Sequence, residues 1–209
     1  MAVPRPLPLQ RRPKQTLNHI WAPKLKRVVL LPGFDQLALW TLLEANPKVS
    51  AYCERPPFED EESPDTTADF WQCRGTSSKL LKLQDEPDPE GIPSTKCTAQ
   101  NSVSLIPKSI LEEHRIWISN WLTLLPYLSW SAPTPNRGLR GQIIHHAQHK
   151  KSFSYLEHFF LAEGTTRIRI ALIEGLHQGW LACPALSKEV WSPELEVVVS
   201  MESTDHAPL

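Results

Sequence analysis

The sequence predicts an α/β protein of two folded parts behind a basic arm, and three observations carry that prediction. Hydrophobic residues make up 41% and charged residues 22% of the 209-residue chain, a balance typical of globular domains rather than disordered segments. A proline- and glycine-free helical stretch, Gln36–Asn46, is followed by short strand-like runs. Behind residue 136, three helical segments lead into two apolar strand candidates, so strands dominate the front half and helices the rear. Twenty prolines against eight glycines favour short elements with stiff connections, and eight tryptophans offer large apolar anchors.

In chain order, residues 1–27 carry Arg5, Arg11, Arg12, Lys14, Lys24, Lys26 and Arg27 before any acid. They read as an extended arm that is either solvated or in contact with phosphates, with Arg11 and Arg12 as the DNA-contacting candidates. Val28–Pro32 is a short apolar run, a strand or the lead-in to a helix. Gln36–Asn46 places Leu39, Leu42 and Leu43 at helical spacing, with Asp35 as a cap or first-turn acid and Pro47 as the stop. Lys48–Cys53, Thr67–Cys73 and Lys79–Leu83 are strand candidates, the last two forming a hairpin across Gly75. The polar, proline-bearing stretch 85–104 carries no clear period. Order resumes at Pro107, a good first-turn residue, and runs to Leu128 as an apolar segment bridging the two halves. The expected division is thus an arm (1–27), a front domain (28–130), a linker, a rear domain (136–200) and a tail (201–209).

The rear domain offers helices at Leu139–Gln148, Ser154–Leu161 and Thr166–Gln178, the last stopped by Gly179. Strands at Trp180–Leu186 and Glu194–Ser200 complete a small α-rich domain of winged-helix type. In such a module the second helix of the helix-turn-helix enters the major groove by its N-terminal residues. Thr166, Arg167 and Arg169 are therefore the candidates for phosphate or base contact, with Lys150 and Lys151 adding charge. Docking of a partner protein is the competing use of the same module.

Net charge is −1, which excludes a bulk polycation and confines any nucleic-acid binding to local patches. The four cysteines lack zinc-knuckle spacing and read as reduced thiols. His145 and His149 share a helix face, but no cysteine lies near them to complete a zinc set. No apolar run of about 18 residues is present to span a membrane, and residues 1–20 lack the apolar stretch of a secretory signal. The expectation is a cytoplasmic or nucleoid-associated protein.

The stretch FDQLALWTLLEANPKVSAYCERPPF, followed by ADFWQ and KLLKL, resembles the N-terminal domain of TnsA-type transposon endonucleases. Val49, Tyr52, Glu54 and Pro56 match that family's strand-end phrase, and Asp69-Phe70 its next strand. The later LEEHRIWISNWLTLLPYL and LIEGLHQGWLACPALSKEVWSPELEVVV look similar to its following helix and closing winged helix. The resemblance implies a restriction-endonuclease-like mixed sheet flanked by helices and a Mg²⁺-dependent nick at the 5′ side of transposon ends in double-stranded DNA. It also implies a partner transposase that cuts the other strand and an ATPase regulator. Carried over by position, Asp35, Asp69 and Lys82 would be catalytic, and Asp35, Asp69 and Gln84 would hold the metal, with Glu54 also near. The sequence departs from the pattern at Leu80, where the family has Glu or Gln two residues before its lysine. That departure keeps two alternatives open: a non-cleaving DNA-binding or assembly subunit of the same machinery, and a stand-alone winged-helix regulator.

Overall fold

The computed structural model describes residues 3–9, 15–57, 68–85, 97–98, 101–129 and 137–200, with backbone only at 97–98, 101–102 and 137. Two compact units emerge, one from residues 1–43 with 48–113, the other from 44–47 with the chain from His114 onward.

The front unit opens with a hairpin, β1 (Leu17–Ala22) against β2 (Arg27–Pro32). Half of the expected arm is therefore folded. The reason is local pairing: Ala22, Val29 and Leu31 are fully buried, and Asn18 Nδ2 donates to the carbonyls of Leu31 and Gly33 at 3.1 and 3.0 Å. Arg11 and Arg12 lie outside the described residues. Helix α1 (Gly33–Ala45) follows at once, with Asp35 in its first turn as expected. Residues 38–45 are buried, so its flat apolar pattern marks a core helix rather than an amphipathic one.

Strands β3 (Ala51–Glu54), β4 (Phe70–Arg74) and β5 (Ser77–Gln84) form an antiparallel run, the last two turning at Gly75, whose φ of +56° suits glycine. Two further strands lie in the stretch that showed no period, β6 (Cys97–Thr98) and β7 (Asn101–Pro107). The result is one mixed sheet of order β3-β4-β5-β7-β6, with β7 parallel to β5. Pro107 therefore closes a strand instead of opening a helix, and the helical segment after it is broken at His114 into α2 (Ser109–Glu113) and α3 (Arg115–Leu124). Alternation along the strands puts Tyr52, Phe70 and Leu81 on one face and Cys53, Trp71 and Leu80 on the other. Helix α1 lies on the first face, where Trp40 Nε1 donates to the Tyr52 hydroxyl at 2.7 Å. Cys53, Ala68, Trp71, Cys73 and Leu80 form an apolar cluster on the second.

In the rear unit the order is α4 (Arg137–His146), β8 (Lys151–Ser152), α5 (Phe153–Phe159), α6 (Thr165–Gln178), β9 (Leu181–Ala182) and β10 (Glu196–Val199). Three short strands form an antiparallel sheet of order β8-β10-β9. The extra strand, β8, is only two residues long and too short to show a period. Helix α3 belongs to this unit through buried Asn120, whose Nδ2 donates to the carbonyls of Leu186 and Glu189 while its Oδ1 accepts from the Trp191 N–H. Cys53, Cys73 and Cys183 are free and buried. Burial pushes the Cys53 and Cys183 thiols up to about 11, which keeps them protonated and unreactive.

Helix α6 ends on Gly179 in the left-handed region, φ +80°, as the sequence indicated. A Cβ there would stand 2.7 Å from Pro47 Cβ. Gly179→Ala is therefore expected to destabilise the rear unit by about 1–3 kcal/mol from backbone strain alone, read as a lower urea midpoint. An unchanged midpoint would refute this.

Candidate functional site

At the start of α1 the front unit holds a polar cavity of about 360 Å³ lined by Gln15, Pro32–Gln36, Asp69, Leu83, Asp85 and Lys108. Asp35 arrives from the first turn of α1, Asp69 from the bend before β4, and Asp85 and Lys108 from the ends of the parallel pair β5 and β7. The register Gln84↔Pro107 continues by one step to bring Asp85 opposite Lys108.

Asp69 is held in place from two sides. Its Oδ1 accepts from Gln36 Nε2 at 2.7 Å and its Oδ2 from the Leu83 N–H at 2.7 Å. Burial pushes its pKa above the ordinary carboxylate value. The Leu83 N–H, Lys82, Gln36 and Lys108 act in the opposite sense without cancelling that effect. The remaining amide oxygen of Gln36, Oε1, is buried and has no partner. Lys108 Nζ lies 2.8 Å from Asp35 Oδ2 and 2.5 Å from Asp85 Oδ1, and these bonds raise its pKa, so it is a cation at neutral pH.

Of the residues singled out from the sequence, Asp35 and Asp69 come together in this cavity, whereas Lys82 and Gln84 do not line it. Leu83 lines the cavity and its neighbours Lys82 and Gln84 alternate away from it, although the register carried one step beyond Phe70↔Leu81 sets Lys82 opposite Asp69, whose pKa its charge lowers. The ammonium in the cavity belongs to Lys108 instead. Glu54 is not available to a metal either. It is 2% exposed, and Arg27 grips it with Nη1 at 2.6 Å from Oε1 and Nη2 at 2.5 Å from Oε2.

Mg²⁺ prefers oxygen ligands and is commonly held by one or two carboxylates completed by water and substrate phosphate. Among the described residues no group of three His, Cys, Asp or Glu side chains is placed to hold a metal. The donor set nevertheless fits, because the cavity presents the Asp69 and Asp35 carboxylates together with the partnerless Gln36 Oε1. Asp85 and Lys108 escaped the sequence reading, whereas Gln36 shares with Asp35 the helix position that the resemblance marks. The alternation of Val103 and Leu105 with serine would have located β7 and, through it, Lys108.

In the rear unit Thr166 and Arg167 are exposed at the start of α6, Arg167 beside Glu163 at 3.5 Å, and Lys150 is exposed. Lys151 Nζ rests 4.6 Å over the Tyr155 ring. Arg169 is committed internally: Nε and Nη2 donate to the two Glu157 oxygens at 2.6 and 2.8 Å, and Nη1 to the Tyr127 hydroxyl at 3.4 Å. It ties α6 to α5 and to Tyr127, which follows α3, rather than offering a free guanidinium. Among the described residues no helix is long and apolar enough to cross a membrane. No family model matches the chain, and no curated protein matches it.

Proposed function

We propose that this chain is a TnsA-like subunit of a multi-component DNA transposition system that nicks transposon ends beside a partner transposase, with an ATPase regulator as third member. The observation that carries the reading is the meeting of Asp35 and Asp69, 34 positions apart in sequence, in one polar cavity with a lysine. The mixed sheet with α1 on one face is compatible with the nuclease-like core that the resemblance implies. The rear order of helix, strand, two helices and two strands, with β10 between β8 and β9, supports a winged-helix module with Thr166 and Arg167 at its leading edge.

In this reading Asp69, Asp35 and Gln36 Oε1 would hold Mg²⁺, which when bound would supply Lewis-acid polarisation of the phosphodiester and a lowered pKa for a water. Gln36 and the Leu83 N–H fix the Asp69 carboxylate, so its orientation is set before DNA arrives. Lys108, a cation at neutral pH, donates to the phosphate oxygens as negative charge develops on them. Asp35 and Asp85 hold that ammonium in place until the phosphate takes over part of the contact.

A second reading, a non-cleaving assembly subunit, is favoured by one observation: Leu80 stands on β5 where the resemblance leads to a metal-binding Glu or Gln. A lysine swap separates the two. With the partner transposase, end DNA and Mg²⁺, Lys108→Met is expected to lower nicking by about 10²–10³-fold, and Lys82→Met, whose charge acts on Asp69 from outside the cavity lining, by less. Equal nicking by all three proteins, or none by any, would leave the non-cleaving reading.

A further inference from the structure

The sheet face that carries Tyr52 and Phe70 continues toward the Gly75 turn as Gln72, Arg74 and Lys79. Gln72 pairs with Lys79 across β4 and β5, and Arg74 is the next residue on the same side of β4. Gln72 is 1% exposed, yet neither its amide oxygen nor its amide nitrogen has a partner. Arg74 Nε and Nη2 are likewise buried without a partner. Burial lowers the pKa of Arg74. Burial first, then repulsion from Arg74, lowers that of Lys79. Glu54, the acid that β3 places on this face, sits toward the far end of that strand and is taken by Arg27. Two half-buried cations beside an unsatisfied amide, with no counter-charge among the described residues, are costly unless something anionic completes them.

We propose that Gln72, Arg74 and Lys79 form a binding site for a protonated phosphate group, either free phosphate or a phosphomonoester. The guanidinium supplies a planar fork for two oxyanion oxygens, the ammonium a point charge and the Gln72 amide nitrogen a further donor. The Gln72 oxygen is an acceptor, so full satisfaction needs an O–H on the ligand beside its anionic oxygens. A phosphomonoester near its second pKa of about 6 carries one; a sulfate or an internal DNA phosphodiester does not. The site lies at the opposite end of β4 from Asp69 and stands or falls separately from the nuclease reading.

The test is thermal unfolding of the full chain at pH 6.5 with inorganic phosphate, sulfate or chloride at matched ionic strength. Phosphate at ten times its Kd is expected to raise Tm by about 3–5 °C, with sulfate weaker and chloride inert. Arg74→Met and Lys79→Met lose this shift while being at least as stable as the wild type in phosphate-free buffer, because each removes an unpaired buried charge. Gln72→Leu loses the preference of phosphate over sulfate. Competition by a 5′-phosphorylated oligonucleotide, but not by its unphosphorylated form, assigns the phosphate to a DNA end; competition by neither assigns it to a small molecule. The proposal is overturned by a wild-type shift equal in phosphate and sulfate, by a shift that survives both methionine variants, or by variants equally destabilised with and without phosphate.

Discussion

Asp69→Ala is expected to lower end nicking by at least about a thousand-fold, since stabilisation of developing charge is usually the largest catalytic contribution. The substitution removes the one carboxylate in the cavity whose two oxygens are both pre-oriented, by Gln36 and by the Leu83 N–H. Mg²⁺ or Mn²⁺ affinity, measured by calorimetry without DNA, falls with it. Wild-type nicking by the variant would end the nuclease reading. A pH profile adds an independent check. Burial raises the Asp69 pKa, so the ionised, metal-holding form is lost as pH falls through a value above the ordinary 3.8. Nicking should therefore decline at a higher pH than an exposed aspartate would dictate. Linkage runs the other way for stability. An acid whose folded pKa is raised contributes most below its unfolded pKa and loses that contribution as pH rises through the folded one. Relative to Asp69→Asn, the wild type should accordingly gain stability on going from neutral pH into that acid window.

Arg27→Met should cost the front unit about 3 kcal/mol, the low end of the range for stripping one partner from a buried ion pair, because Arg27 is itself 36% exposed. Its loss leaves the Glu54 carboxylate, 2% exposed, with Arg55 Nη2 at 3.9 Å as its remaining charged neighbour. The double variant Arg27→Met, Glu54→Leu should recover most of the loss, since a well-packed apolar pair replaces a buried ionic one at little or no net cost. Urea unfolding of the three variants gives the coupling energy. A loss below about 1 kcal/mol for Arg27→Met, typical of a surface pair, would show that Glu54 is solvated in solution.

Arg27 also marks where reading the chain alone misleads. Grouped with Arg11, Arg12 and Lys24 it resembles part of a phosphate-binding arm, but β2 turns it onto Glu54, while Lys24 Nζ donates to the Leu43 carbonyl at 2.9 Å. Arg169 repeats the lesson in the rear unit, where Glu157 takes its Nε–Nη2 edge and the Tyr127 hydroxyl its Nη1. A cation in the sequence states its charge and not its partner, because the partner comes from another element.

What the chain declares locally is what depends on near neighbours: α1 with Asp35 in its first turn, the β4–β5 hairpin across Gly75, and the stop of α6 at Gly179. Each rests on short-range periodicity or on a backbone conformation that one residue type favours. The parallel partner β7 stayed hidden because its pairing with β5 spans a long connection and leaves no hairpin signal. That pairing sets Lys108 opposite Asp85, and the bend before β4 turns Asp69 toward Gln36. Asp35 and Asp69 could be named from the sequence, but that Lys108 lines the cavity with them depended on the pairing of β5 with β7, while Lys82, whose charge also acts on Asp69, stays outside the lining.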